Sequence, residues 1–450
     1  MSDRDRTLAP ESGPIRDFQA PSVIAESLDN GLKIKVARSP QVPVVTVSLV
    51  LDAGEDLLGA EKAGLAVLTG DSLEEGTSRW SGGELAEQLE NNGTGLSIDT
   101  DWDCTTISLS CLAGRLDTVL EILAEVVLNP LFPADEVSRL VGQKLALIEQ
   151  RKMNPGSVAT DGIRKMVYED MPYGRPLGGT EESLASMNPE LITNFWKERY
   201  VPGGSGLVVA GDVDMSEIKD LAARCFSDWE GSVDRQSSPT PEATQNQGKI
   251  FLIDRPGSVQ SEIRIGHVGQ PRETDDYFPL IVANTILGGA FTSRLNANLR
   301  EKNGFTYGVR SSFQFRRGAG PWGVSTAVGT DVTADAVKAA VFEVEKFVSE
   351  GPSEEEMESS RDYIAGVFPL RFETTDHITS HVVNTLVYGL PDDYYQSHRE
   401  KVRMVTSEDV RQAVKRCIRP DEMTIVVVGD AENVKTSLLA LGWGELEILE

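Results

Sequence analysis

Arg300 and Tyr307 stand seven residues apart in the stretch FTSRLNANLREKNGFTYG. A guanidinium and a phenol are hydrogen-bond donors suited to a peptide carbonyl oxygen as it gains negative charge. From the spacing alone, the simpler reading is favoured: an arginine paired with a surface carboxylate and a tyrosine packed in a core. The other side chains that could do chemistry are four histidines: His267, His377, His381 and His398. His377 and His381 are spaced i, i+4 in TDHITSHVVN, a helical spacing that can hold a metal. No glutamate lies between them, and a third ligand and a general base are missing, so the pair reads as two helical residues on a partly exposed face. Nothing before His267 in this 450-residue chain is a histidine.

The elements around these residues follow from local pattern. A helix is expected from about Tyr277 to Lys302, ended by Asn303-Gly304. Gly288 and Gly289 fall inside it, where each costs about 1 kcal/mol against alanine. That cost implies close backbone approach or a bend. Tyr307 then opens a strand-like run, TYGVRSSFQF. In the first half, LKIKVARSP and VVTVSLVLDAG read as successive strands. TTISLSCL alternates Ile107, Leu109 and Cys111 with Ser108 and Ser110. RLDTVLEILAEVVL and ADEVSRLVGQKLALIEQ have helical periodicity, and the latter has an acidic first turn after Pro133.

The chain repeats one plan. GLVVAGDVDMSEIKDLAARCF and MTIVVVGDAENVKTSLLAL are each a buried strand, a Gly-Asp turn and an amphipathic helix. Gly211 and Gly429 are separated by nearly the same offset as Pro133 and Pro352, which indicates a duplicated domain. The stretch 233–247, VDRQSSPTPEATQNQ, has no apolar periodicity and reads as a linker between domains at 23–232 and 248–448. The expected class is α+β: two homologous halves, each an antiparallel-rich sheet with helices packed on one face.

A net charge of −27 argues against nucleic acid or an anionic membrane as the main partner. It is compatible with a basic peptide. No apolar run reaches the length of a membrane span. The polar N-terminus MSDRDRTLAPESGP lacks the features of a secretory or mitochondrial signal. Four cysteines (Cys104, Cys111, Cys225, Cys417) without CxxC spacing suggest buried thiols in a reducing, cytoplasmic setting. Cys104 and Cys111 are seven apart in one strand-like segment and should face opposite sides.

Three segments together resemble the insulinase/pitrilysin family of inverted zincins, the His-x-x-Glu-His peptidases that include mitochondrial processing peptidase. They are AGEDLLGAEKAGLAVLTGDSLEEGT, TILGGAFTSRLNANLREKNGFTYGVRSSF (Thr285 to Phe313) and RYVPGGSGLVVAGD (Arg199 to Asp212). The resemblance spans about residues 23 to 445. It implies two homologous halves enclosing a chamber for an unfolded peptide. It further implies zinc held by the motif's two histidines and a downstream glutamate, with the motif glutamate activating water. An arginine and a tyrosine seven apart in the second half would bind substrate near the metal. Some members form pairs in which one subunit supplies the metal and the other the Arg/Tyr. GTGLSIDTDWD, Gly93 to Asp103, resembles the family's edge strand beside the zinc site, where an extended peptide could add by main-chain hydrogen bonds.

Here the motif positions are Val67, Leu68, Thr69, Gly70 and Asp71. Val67 has no lone pair to offer, Gly70 cannot act as a base, and Asp71 is a single possible ligand. The downstream ligand would fall near Leu147 to Glu149, but a lone carboxylate makes no zinc site. The ligand count therefore predicts no catalytic zinc in the first half and no metal bound by this chain. The resemblance implies a non-catalytic, substrate-binding subunit of a heteromeric zinc peptidase. It would pair with a His-x-x-Glu-His homologue that carries the zinc, and supply Arg300 and Tyr307 to that partner's site. Ser293, Arg294, Leu295 and Glu301 would fix the helix. The alternative is a scaffolding homologue with no role in proteolysis. A self-sufficient hydrolase using His377 and His381 has little support.

Overall fold

A computed structural model describes residue 13, residues 15–233 and residues 248–449. The expected linker, from residue 234 onward, and most of the polar N-terminal stretch lie outside the described residues. The first half builds one six-stranded sheet from β1 (Val23–Ser27), β2 (Lys33–Arg38), β3 (Val44–Leu51), β4 (Ser97–Thr100), β5 (Thr105–Leu112) and β6 (Gly206–Gly211). Its spatial order is β1-β2-β6-β3-β5-β4, and only β2 and β6 run parallel. The second half uses β7 (Ile250–Asp254), β8 (Gln260–Val268), β9 (Val309–Phe313), β10 (Pro321–Gly329), β11 (Thr424–Gly429) and β12 (Leu446–Leu449). Its order is β12-β7-β11-β8-β10-β9. The two orders superpose strand for strand if β2 matches β7, β6 matches β11 and β4 matches β9. Gly211 and Gly429 close equivalent strands, as the repeat predicts. One edge differs: β1 joins antiparallel, β12 parallel.

Period-two alternation assigns the faces. Val45, Val47, Leu49 and Leu51 of β3 join Ile107, Leu109 and Cys111 of β5 in a core covered by the first half's own helices. Cys104 faces the other way, in a separate cluster, as its odd spacing from Cys111 requires. The second half repeats this with Ile263, Ile265, Trp322 and Val324.

The opposite face of each sheet holds a feature that periodicity did not reveal. The helix Thr375–Val387, from the second half, lies on β3 and β6 of the first. Its Ile378, Val382, Val383 and Val387 pack with Ala37, Val50, Val208 and Ala210. Reciprocally, the helix Pro155–Tyr168 of the first half lies on β8 and β11 of the second. Gly162 allows the approach: a Cβ there would stand 3.2 Å from Ile253 Cδ1 and 3.3 Å from Val426 Cγ1. Helices packed on one face thus describe what each half does for itself, while the other face is closed by exchange. An apolar helix stripe states that a sheet must be met, but not which one. Polar contacts fix the exchanged helix. Asp376 accepts from Thr46 Oγ1 at 2.8 Å and Ser110 Oγ at 2.6 Å. Lys35, buried in the first sheet, pairs with Asp392 at 2.6 Å and donates to Thr385 at 2.8 Å.

Exchange is expected to make the halves one cooperative unit, since each supplies a layer of the other's core. Ile378 is 2% exposed, and truncating such a side chain costs about 2–5 kcal/mol. Ile378→Ala is expected to lower the urea midpoint of the whole chain, with tryptophan fluorescence and far-UV circular dichroism still coincident. Separate transitions by the two probes would contradict the interlocked arrangement.

Candidate functional site

The short helix Leu65–Asp71 carries the five motif positions. Its entry is set by Gly64 at φ +87°, where a Cβ would stand 2.7 Å from Gly178 O. Glu55 holds its N-terminus, accepting from the N–H groups of Gly64, Ala66 and Val67 at 3.1, 2.9 and 3.2 Å. A carboxylate suits the positive end of a helix. Burial is the larger effect, pushing the Glu55 carboxyl up to about 7 against those N–H groups and the Arg175 charge.

Val67 and Asp71 are half-buried on the outward side of this helix, and Gly70 faces inward. A Cβ on Gly70 would lie 2.8 Å from Thr100 Oγ1 and 3.2 Å from Ile98 Cγ2, so β4 fills the place of a longer side chain. The Asp71 carboxylate is ion-paired with the Lys144 ammonium of the helix Ala134–Met153. Glu149, from the region of the expected downstream ligand, is exposed and pairs with Lys152 at 2.9 Å. Among the described residues, no group of three or more His, Cys, Asp or Glu side chains is placed to hold a metal. The donor set does not fit zinc: one motif position has no lone pair, another has no side chain, and the single carboxylate already faces a cation.

The second cluster is built on an interrupted helix. The expected continuous helix to Lys302 is instead Tyr277–Asn284, then a π-helical turn Thr285–Gly289, a break, and a second π-helical turn Asn296–Lys302. Gly288 explains the break: a Cβ there would stand 2.5 Å from Ser311 N of β9. The local propensities read the two glycines correctly as a sign of close approach but not the interruption that follows. The buried Asn296 then ties the second turn to β9, donating to Val309 O at 2.9 Å and accepting from Val309 N at 3.3 Å. Sequence reasoning missed Asn296. Its signal is an uncharged polar residue on the apolar side of a helix, one turn before Arg300. Arg294 anchors the turn through two 2.6 Å bonds to Glu356. Ser293 and Leu295 are buried.

Arg300 donates to Glu301 at 2.7 Å. Its guanidinium carbon lies 3.4 Å from the Phe291 ring centroid. Tyr307 is 97% exposed, so the core-packed alternative is excluded for it, while Arg300 does hold the surface carboxylate that the simpler reading foresaw. Among the described residues, no hydrogen bond, ion pair or ring contact joins Arg300 or Tyr307 to the Val67–Asp71 segment. The two clusters are separate features of one chain.

A third feature is a cleft of about 730 Å³ between the β4–β5 face and the exchanged helix Thr375–Val387. Ser48, Ser97, Asp99, Thr106, Ser108 and Asp376 are among its walls. Among the described residues β4 is the outer strand of its sheet, the edge position that the resemblance of the Gly93–Asp103 segment implies. Burial raises the Asp99 carboxyl, and the nearby Asp101 raises it further. The histidines lie elsewhere. His381 stacks on Phe372 at 4.7 Å and lies 4.8 Å from the Tyr395 ring. Burial pushes its pKa down to about 4, and its neighbour His377 is exposed. His267 accepts from the Arg419 N–H through Nε2 and bonds Val268 O through Nδ1. These are packing roles.

Two models of one peptidase family match the chain. The model described as Insulinase (Peptidase family M16) matches residues 33–181, and the model described as Peptidase M16 inactive domain matches residues 186–363. The uncharacterized zinc protease YmxG of Bacillus subtilis is 25% identical, over 77% of this chain and 84% of its own. The non-peptidase homolog YmxG of Helicobacter pylori is 20% identical, over 88% and 91%. A crystal structure of a peptidase M16 inactive domain from Pseudomonas fluorescens superposes with a TM-score of 0.86 at 26% identity, covering 91% of this chain and 98% of that one. A protease from Helicobacter pylori shares the fold, with a TM-score of 0.82 at 18% identity.

Two consequences of the first cluster can be measured. The folded Glu55 value of about 7 lies above its ordinary 4.5. The stability that this group contributes is therefore complete below pH 4.5 and lost as pH rises through 7. The melting temperature of the native chain minus that of Glu55→Gln is expected to fall over that window, whereas a flat difference would contradict the assignment. Gly70→Glu forces a side chain against Thr100 and Ile98, and overpacking of this kind costs about 1–3 kcal/mol. A lowered melting temperature without zinc uptake is the expected outcome.

Proposed function

Taking as premise that the chain belongs to the insulinase (M16) peptidase family, we propose that it is a non-catalytic, substrate-binding subunit of a heteromeric zinc peptidase. A zinc-bearing His-x-x-Glu-His homologue would be its partner, and an unfolded or short peptide the substrate of the pair. One observation carries the reading. The chain has no donor set for zinc at Val67, Gly70 and Asp71, yet it displays Tyr307 almost fully to solvent, seven residues after an Arg300 that lies against the Phe291 ring.

The roles follow from the donors. When bound in the partner, the metal would polarise the scissile carbonyl and supply the water. This chain's part is to place the Tyr307 hydroxyl and the free N–H groups of Arg300 where the carbonyl oxygen gains charge. Donors held in place before reaction need no reorganisation when that charge appears. The Asn296 clamp on Val309 and the break at Gly288–Gly289 supply that rigidity on this side of the interface.

Four unpaired cysteines support a reducing, cytoplasmic setting as part of the proposal. Among the described residues no helix is long and apolar enough to cross a membrane. The scaffolding alternative draws its support from the relative named a non-peptidase homolog and from the Lys144–Asp71 pair.

Reconstitution separates the two. Mixing the purified chain with a His-x-x-Glu-His homologue from the same source is expected to give a larger species on sizing and peptidase activity absent from either chain alone. Removing one preorganised donor costs about 10²–10³ in rate. Tyr307→Phe and Arg300→Ala are each expected to lower kcat/KM of the pair on that scale, with assembly and partner zinc unchanged. Arg310→Ala, at an exposed position of β9, should be silent. Normal assembly with unchanged cleavage in both variants would favour scaffolding.

A further inference from the structure

The Phe291 ring lies against Arg300, nine residues further along. A continuous helix would separate these positions by about 13.5 Å along its axis. The chain instead leaves the helix at Gly289, passes Ala290 in an extended conformation (φ −102°, ψ 158°), and re-enters helical geometry before Asn296. That detour carries the two internal glycines and two π-helical turns, and such turns recur at functional sites. Its product is a phenyl ring held over a guanidinium face.

The burial figures show which side chain gains. Phe291 remains 73% exposed, so the contact does little to hide the ring. The Arg300 side chain is only 16% exposed, although its residue lies in a surface turn. The ring centroid stands 3.4 Å from the guanidinium carbon, and Glu301 accepts from Nη2. A guanidinium has five N–H donors in a fixed fork, and Glu301 takes up one of them. Without the ring, an arginine at the end of a helix samples many rotamers, and those must be given up when its N–H groups engage the charge that develops in the transition state.

From this we infer that Phe291 is the positioning residue for Arg300: it stacks on the guanidinium and presets the plane in which its N–H groups meet the substrate carbonyl. The inference rests on the role proposed above for Arg300. The ring transfers no proton and touches no reacting atom. It sets geometry, so its effect belongs to the rate of the bound complex rather than to substrate binding.

Two measurements test this. In the free chain, the Arg300 Nε–H resonance is expected to be ring-current shifted in the wild type and in Phe291→Tyr, and to lose that shift in Phe291→Ala and Phe291→Leu. An unshifted wild-type resonance would overturn the stacking, whatever the partner does. In the reconstituted pair, a cation–π contact to a solvent-exposed ring corresponds to about a two- to five-fold effect. Phe291→Ala is expected to lower kcat by that factor with KM and assembly unchanged, and Phe291→Tyr to restore it. Combined with Arg300→Ala, it should add nothing. An undiminished Phe291 effect in the Arg300→Ala background would show a separate role for the ring and overturn the inference. If Arg300→Ala is impaired while Phe291→Ala matches wild type, the Phe291 role falls and the Arg300 role stands. If Arg300→Ala itself cleaves at the wild-type rate, both fall.

Discussion

The exchange of helices between the halves is the constraint from which the rest of the molecule follows. Without the helix Thr375–Val387, the face of the first sheet carrying Ala37, Val50, Val208 and Ala210 would open to water. Without Pro155–Tyr168, the second sheet would lose its cover over β8 and β11. Buried apolar area is the dominant favourable term in folding, so neither half can part from the other without losing a core layer. The polar contacts of Asp376 and Lys35 then specify where along the sheet the exchanged helix sits. The two hairpin tips meet as well: Arg316 of the β9–β10 connection lies over the Tyr173 ring at 4.6 Å and the Trp102 ring at 5.2 Å. Among the described residues no hydrogen bond or ion pair joins the motif helix to the Arg300 turn, yet the exchanged helices hold both in one fold.

Within that fold the first cluster, at the positions where the family resemblance places a zinc motif, is held together by packing. A zinc ion would tie the motif helix to the helix Ala134–Met153. Here the Lys144 ammonium faces the Asp71 carboxylate between the same two helices. The two side chains are 20% and 32% exposed, and pairs open to solvent contribute about 0–1 kcal/mol. The ion pair therefore cannot be the main support. That role passes to buried contacts: the Glu55 carboxyl group across the helix N-terminus and the close approach of β4 to Gly70. The latter also closes the space where a general base would stand, so the cluster is packed as structure.

Much of this was legible in the sequence, because it depends on features that chemistry alone constrains. The missing lone pairs at Val67 and Gly70, the repeat landmarks at Gly211 and Gly429, and the opposed faces of Cys104 and Cys111 need only residue identity and period. The exchange was not legible, because an apolar stripe such as Ile378–Val382 states that it must be buried but not against what. The broken helix was half legible. Gly288 signalled a close approach, but whether the chain bends or stops depends on β9, which is supplied from outside the segment. Asp71 raised a different difficulty: its partner Lys144 lies 73 residues away, and no local pattern predicts that meeting.

The second cluster carries costs that stability does not require. Two glycines in a helical segment, two π-helical turns and an almost fully exposed tyrosine each give up something a plain helix and a buried ring would retain. The surroundings are otherwise well determined: Arg294 is held bidentately by Glu356, Asn296 locks the turn to β9, and Leu295 and Leu299 are fully buried. Irregular geometry inside a rigid surround persists where the surround over-determines it. In the first cluster, by contrast, packing has closed the site around Gly70. The first cluster is thus closed by packing around Gly70, while the second keeps Tyr307 exposed at a local cost. The proposed substrate-binding role accounts for that asymmetry, because scaffolding alone would favour the same closure on both sides.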